Sequence, residues 1–231
     1  LVEAHQQTFA LYESLDVGKP ITQALGEVGQ AAEILRETAE SAVNLFSLSI
    51  SDGGYSAHQL RKPVGVVGAI TSWNYPLILA VLKIGPALIM GNCLVLKPSE
   101  LAGLSTGLLG TLALEAGVPA GVLNVVQGCG QVVGATLAHH RDVDLLSFTG
   151  SSSTGKLIQL AAGQSNMKRL LLECGGKAPY LVFEDSPKNL DAVAADIVDK
   201  SFKNQGANCL AATRLLVHKN IKDKLLPKVI E

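Results

Sequence analysis

Lys97 and Glu100 stand three residues apart where an apolar run, Cys93–Lys97, gives way to a polar loop. Side by side, an ammonium and a carboxylate can hydrogen-bond the two hydroxyls of a ribose, and the free carboxylate would repel a 2′-phosphate, favouring NAD over NADP. The same spacing also suits a solvated ion pair. A second candidate is Gly150-Ser-Ser-Ser-Thr-Gly155-Lys156, which follows a strand-like run and opens a helix. It nearly matches the phosphate-cradling pattern GxxxxGK(S/T), but Leu157 occupies the position of the magnesium-binding hydroxyl, which argues against a nucleoside triphosphatase. What survives is a Gly-bounded turn at a helix N-terminus, whose backbone N–H groups and positive dipole end suit a phosphate or pyrophosphate. Gly128-Cys129-Gly130 begins a GxGxxG pattern whose next glycine, Gly134, comes one position late, and a plain turn into a helix explains it equally well.

The fourth candidate is Cys209, set among small and polar residues in Phe202-Lys-Asn-Gln-Gly-Ala-Asn-Cys209. An activated thiolate there could act as a nucleophile, whereas an isolated cysteine is ordinarily a small buried hydrophobe. Of the other thiols, Cys93 falls in an apolar strand, and Cys129 and Cys174 fall in Gly-rich turns. No CxxC pair or neighbouring His pattern supports a disulfide framework or a metal site, so a reducing compartment, the cytoplasm, is expected.

The elements that must position these residues follow from hydrophobic periodicity. The 231 residues are 48% hydrophobic and 17% charged, with a net charge of −1, which suits a globular chain and removes the electrostatic case for nucleic acid or an anionic membrane. Val64–Leu96 is apolar enough to suggest a membrane span, but Asn74, Pro76, Lys83, Pro86, Gly91 and Asn92 interrupt it, so a strand-helix-strand unit is expected. Helices are expected over Ala4–Leu15, Ile21–Ala42, Leu77–Met90, Ser105–Ala116, Gln131–His139, Gly155–Ala162 and Leu190–Phe202. Strands are expected over Val64–Ile70, Cys93–Lys97, Val122–Val126, Leu145–Thr149, Leu170–Glu173 and Tyr180–Phe183. A hairpin is expected around Ser51-Asp52-Gly53-Gly54, its first strand drawn from the alternation over Asn44–Ile50. Strands alternating with helices imply an α/β fold with an open parallel sheet, whose ligand loops gather at the carboxyl ends of the strands. A chain beginning at Leu1 without an initiator Met or signal peptide, and ending at Glu231, is expected to be a fragment.

Taken in order, Ser72-Trp-Asn-Tyr-Pro76, Lys97-Pro-Ser-Glu100, Phe148-Thr-Gly-Ser151 with Gly155, Leu172-Glu-Cys-Gly-Gly-Lys177, and Phe202 to Cys209 followed by Arg214 resemble the aldehyde dehydrogenase superfamily over nearly the whole chain. Ser165-Asn-Met-Lys-Arg169 looks most like the betaine-aldehyde and γ-glutamyl-aminobutyraldehyde branch. The resemblance implies a Rossmann-like NAD-binding domain over residues 1–43 and 64–174, an oligomerisation hairpin over 44–63, and the beginning of an α/β catalytic domain over 175–231. It implies a small-molecule aldehyde as substrate and a homo-oligomer, dimer or tetramer, in the parent protein. Cys209 matches the nucleophile, which forms a thiohemiacetal and then a thioester. Asn74 matches the oxyanion donor, and Glu173 the base that activates water to give a free acid; at the end of an apolar strand, Glu173 is expected to be partly buried. Trp73, Lys97, Glu100, Gly130, Gly150, Ser151 and Gly155 match the NAD contacts, Lys83 matches a position near the active site, and no metal is implied. Ala207 departs from the family, which usually carries Gln there. A catalytically silent dinucleotide-binding or assembly module is the alternative, motivated by Ala207 and by the shortness of the chain.

Overall fold

The structure, a computed structural model, describes residues 1–44, 48–186 and 189–231. It divides into two compact units, Leu1–Glu173 and Cys174–Glu231.

The first unit opens with helices α1 (Gln6–Val17) and α2 (Ile21–Ser41), separated by Gly18, whose φ of 79° ends α1 in the left-handed conformation. A hairpin follows, β1 (Leu48–Asp52) against β2 (Tyr55–Gln59), antiparallel with Asp52 opposite Tyr55. Its two-residue turn, Gly53-Gly54, has both φ angles positive, as the tight right-twisting hairpin turn requires. Every residue of β2 is exposed, so this strand contributes nothing to the core. The part of the expected alternation at 45–47 lies outside the described residues.

The sheet is then built by β3 (Val66–Ile70), β4 (Cys93–Lys97), β5 (Leu123–Val125), β6 (Leu145–Gly150) and β7 (Arg169–Cys174), in the order β5-β4-β3-β6-β7. β3 pairs in parallel with β4 and with β6, and β4 in parallel with β5. The chain therefore builds outward from β3 to β5 and then crosses back to lay β6 on the other side of β3. That reversal opens a crevice at the carboxyl ends of β3 and β6, where doubly wound sheets bind ligands. The connecting helices are α3 (Pro76–Ile89), α4 (Leu104–Glu115), α5 (Ala135–His139) and α6 (Ser152–Gln164). Val67, Ala69, Leu94 and Leu96 on the sheet pack with Leu77, Ala80, Val81 and Ile84 of α3 and with Ala24, Val28 and Ala31 of α2. A Cβ at Gly85 would lie 2.9 Å from Thr38, so the α2/α3 contact depends on that residue having none.

Two local expectations change. α6 begins at Ser152 instead of Gly155, because the Ser151 hydroxyl accepts the Thr154 N–H at 3.2 Å and caps the helix three residues early. The stretch from Gly150 to Gly155 is thus one cap residue followed by helix, and Gly155 is buried within it. The expected helix over Gln131–His139 is a wide π-type turn, Gly130–Gly134, leading into the single turn and a half of α5.

The second unit is β8 (Ala178–Val182), α7 (Leu190–Phe202), β9 (Ala212–Val217) and α8 (Lys219–Ile230), with β8 and β9 parallel. Its core is Val182, Val193, Ala194, Ile197 and Leu225. β9 and α8 go beyond the sequence expectations. Their signature was present: Ile221, Leu225 and Val229 recur at a helical spacing of four and all pack on this core. Among the described residues, no helix is long and apolar enough to cross a membrane.

Candidate active site

In the first unit, the candidate residues gather on the loops that leave the carboxyl ends of β3, β4, β5 and β6. Lys97 ends β4 and is 2% exposed, and its ammonium donates to Glu100 Oε2 at 2.8 Å. The other carboxylate oxygen, Oε1, accepts the Gly130 N–H at 3.2 Å. The Lys97 bond, helped by the backbone N–H groups of Glu100 and Gly130, holds the Glu100 carboxyl down at about 2. A bridge made from a buried ammonium is not the solvated pair that the spacing also allowed, since an ammonium withdrawn from water is retained where it is bonded and specifically placed.

Glu100 and Gly130 line a groove of about 550 Å³ whose other walls come from α5 and α6. Ile70, Gly134, Ala135, Ala138, Ile158 and Ala161 make its lining largely apolar. An apolar slot with a carboxylate in its lining suits a nucleoside, with ribose hydroxyls at Glu100. Gly150 ends β6, and a Cβ there would lie 2.5 Å from the Phe148 ring. Ser151 is committed as the α6 cap. Trp73 is 44% exposed on the loop after β3.

Sequence reasoning gave no role to Thr71 or to Thr149, the latter quoted only within the Phe148–Ser151 motif. Both hydroxyls are buried and have no hydrogen-bond partner among the described residues. They follow or end β3 and β6, the two strands that flank the crevice. Buried orphan hydroxyls at a crevice are what a polar ligand group would satisfy. Their position after the apolar runs of β3 and β6 was the available clue.

Asn74 lies half-buried two residues before α3. The Ser72 hydroxyl donates to Asn74 Oδ1 at 2.8 Å, so the carboxamide turns its oxygen toward Ser72 and its NH₂ edge the other way. Lys83, two turns along α3, is half-buried; burial lowers its pKa, and the nearby charge of Glu173 works against that effect. Glu173 itself is exposed, contrary to the expected partial burial. β7 is the last strand of the sheet and its side chains alternate between exposed and half-buried, with Arg169, Leu171 and Glu173 all on the open face.

In the second unit, Cys209 is exposed on the turn between α7 and β9. Exposure alone does not single it out, because Cys93 and Cys129 are also exposed, Cys93 at the mouth of β4 instead of inside an apolar layer. Cys174 closes β7 and does not lie in a turn. What distinguishes Cys209 is the backbone before it. Asn204, Gln205 and Gly206 take φ values of 56°, 55° and 75°, a run in the left-handed region that only Gly adopts without cost. Asn204 is 1% exposed; its carbonyl accepts the Ala207 N–H at 2.8 Å and its carboxamide donates to the Ala207 carbonyl at 3.0 Å. A side chain at Gly176 would meet the Cys209 carbonyl at 3.2 Å, so Gly176 lets the thiol loop pack closely. Among the described residues, no group of three or more His, Cys, Asp or Glu side chains could hold a metal ion.

Comparison with known proteins bears on this arrangement. The chain is 46% identical over 231 residues to the NADP/NAD-dependent aldehyde dehydrogenase PuuC of Escherichia coli, covering 98% of this chain and 46% of the relative. It is 42% identical to the aminoacetaldehyde dehydrogenase of Pseudomonas aeruginosa, covering 99% of this chain and 46% of that protein. Its structure superimposes with a TM-score of 0.96, at 45% identity, on a P. syringae AldA indole-3-acetaldehyde dehydrogenase variant in complex with NAD+ and IAA, covering 99% and 46% of the two chains. The γ-glutamyl-γ-aminobutyraldehyde dehydrogenase of Burkholderia cenocepacia matches with a TM-score of 0.96 at 44% identity, covering 99% and 46%. The chain thus spans about half the length of the relatives it matches. The Aldehyde dehydrogenase family model aligns with residues 1–231, and the chain belongs to the aldehyde dehydrogenase family.

Proposed function

We propose that the full-length protein carrying this chain oxidises an aldehyde to a carboxylic acid with NAD as hydride acceptor. The observation that carries the reading is the Lys97–Glu100–Gly130 arrangement beside the α5/α6 groove. It offers two ribose-binding groups beside an apolar slot, at the switch point of a parallel sheet, in a chain of this family.

The residues present fit NAD. Glu100 and Lys97 would hold the adenosine ribose, with the base in the groove. The first turn of α6 would face the pyrophosphate. When bound, NAD supplies an acceptor for the hydride leaving the substrate carbon.

A planar aldehyde is a poor hydride donor, so the thiolate of Cys209 first adds to the carbonyl carbon and forms a tetrahedral thiohemiacetal. The oxyanion produced needs donors held before charge develops; by their match to the family pattern, the Asn74 side chain and the Cys209 backbone N–H are assigned that role. Loss of hydride leaves a thioester on Cys209. Glu173 takes a proton from water, the hydroxide adds to the thioester carbon, and the C–S bond breaks to release the acid and restore the thiolate. Residues 1–43 and 64–174 form the cofactor domain in this reading, 175–231 begin the catalytic domain, and the exposed β1–β2 ribbon is the oligomerisation element of a cytoplasmic dimer or tetramer.

The test is Cys209→Ala in the full-length protein. NADH production from short aldehydes should disappear while NAD binding is kept. Retained dehydrogenase activity would end the reading. Wild-type protein that binds NAD yet reduces none with any aldehyde would establish the silent module instead.

A further inference from the structure

Lys19 occupies the Gly18-Lys19-Pro20 break between α1 and α2, where a lysine normally reaches into water. It is instead 1% exposed. Its ammonium donates to Glu13 Oε2 of α1 at 3.1 Å and to the Glu27 carboxylate of α2. It lies 4.8 Å from the centre of the Tyr75 ring, a cation–π contact, and donates to the Asn74 backbone carbonyl through a long bond of 3.4 Å.

Glu13 extends the same network. It is also 1% exposed, and its Oε1 accepts the Leu77 N–H at 3.0 Å and the Ser105 hydroxyl of α4 at 2.6 Å. The Leu77 N–H belongs to the first turn of α3, where backbone donors lack intrahelical partners. Tyr75 provides no side-chain cap. A carboxylate 64 residues away in sequence therefore caps α3. Glu27 is tied in turn by Gln23 Nε2 at 2.8 Å. Three helices thus converge through one buried ammonium on the backbone of residues 74–77.

Packing alone does not account for this. Apolar side chains of similar volume would hold α1 against α2 without burying an ammonium and two carboxylates. What an ion cluster adds is direction: a charge has a fixed set of bonds, whereas apolar contacts slide. Here the bonds end on Asn74, Tyr75 and Leu77, and the Asn74 carboxamide projects from that backbone. An oxyanion donor works only if held in place before charge develops, and a displacement of about 1 Å costs on the order of 100-fold.

We propose that Lys19, held by Glu13 and Glu27, is a positioning residue that fixes the backbone from which Asn74 addresses the oxyanion. This rests on the reading of Asn74 given above. The test is a double-mutant cycle in the full-length protein, with Lys19→Met and Asn74→Ala, assayed both by NAD-dependent oxidation and by hydrolysis of a p-nitrophenyl ester. The ester passes through the same oxyanion and thioester on Cys209 without hydride transfer. Asn74→Ala should lower kcat in both assays by about 100-fold. Lys19→Met should lower it at least about tenfold with KM for NAD unchanged, and should add no further loss in the Asn74→Ala background.

Losses that multiply in the double variant, or a folded Lys19→Met protein with kcat within about twofold of wild type, would overturn the proposal. Full activity in Asn74→Ala would overturn the reading of Asn74 itself, a different result from failure of Lys19 alone. Should Lys19→Met fail to fold, the cycle is run on Lys19→Met combined with Glu13→Gln, whose amide oxygen can still accept from Leu77 and which leaves one fewer charge uncompensated once Lys19 is removed. The same expectations and refutations hold there.

Discussion

Glu100→Gln separates charge from hydrogen bonding at the nucleotide end of the site. The carboxylate accepts from Lys97 at 2.8 Å and from the Gly130 N–H at 3.2 Å, and it is held ionised down to about pH 2. Its charge is therefore constant across any working pH. A 2′-phosphate on the ribose would sit within about 4–5 Å of it, carrying close to two negative charges. The Glu100 side chain is 49% exposed, so an effective dielectric of about 40–80 applies, and the repulsion is on the order of 2 kcal/mol. Removing it should improve NADP binding by about tenfold or more. NAD gains no such relief; it loses a charged acceptor for its ribose hydroxyls, worth about 1.5–3 kcal/mol, and should bind roughly 10- to 100-fold more weakly. Calorimetric titration of both nucleotides measures the two changes, which should have opposite signs and stay constant between about pH 7.5 and 9, where the 2′-phosphate is fully ionised. Parallel weakening of both, or a preference unchanged by the substitution, would refute the assignment of Glu100 to the ribose.

Other residues yield sharper structural tests. Gly65 has φ +121°, and an added Cβ would lie 2.2 Å from the Asp144 carboxylate that holds the Val66 N–H, so Gly65→Ala should lower the melting temperature by about 5–10 °C in a thermal scan. Asn204→Gly keeps the left-handed backbone but loses the bond to the Ala207 carbonyl, whereas Asn204→Ala loses both. Denaturant titration should therefore show the alanine variant less stable by about 1 kcal/mol, with ester hydrolysis falling in the same order. Burial lowers the Lys83 pKa, so below that depressed value its charge opposes folding, and stability is regained as pH rises through it. Lys83→Met should raise the melting temperature by about 1–2 °C at pH 7, half burial keeping the gain small, and the advantage should vanish toward pH 10.

The sheet was legible because its information is local. Cys93–Lys97 and Leu190–Phe202 occur with the boundaries their periodicity gave, since a buried parallel strand or an amphipathic helix writes its period into consecutive residues. Errors fall where a distant or single interaction decides. One hydroxyl at Ser151 moves the start of α6, and the terminal place of β7 in the sheet leaves Glu173 exposed. The paired strand β8, 34 residues earlier at first contact, is what makes a strand of the short run Ala212–Val217.

Charged residues are where sequence reading reaches furthest and fails most instructively. Lys97 and Glu100 stand out as a pair, and spacing alone favours a solvated bridge over a binding element; the 2% exposure of Lys97 shows that its ammonium is not solvated. Lys19 falls in the gap between the expected helices Ala4–Leu15 and Ile21–Ala42, and nothing nearby in sequence announces that Glu13, Glu27 and Asn74 will bond its ammonium. Burial is a property of the assembled fold, and it decides whether an ammonium is a solvated handle or a fixed point. A lysine in a Gly-Lys-Pro turn is ordinary until three helices close over it; then its remaining bonds are constrained, and the loop that receives them is held by the fold behind it.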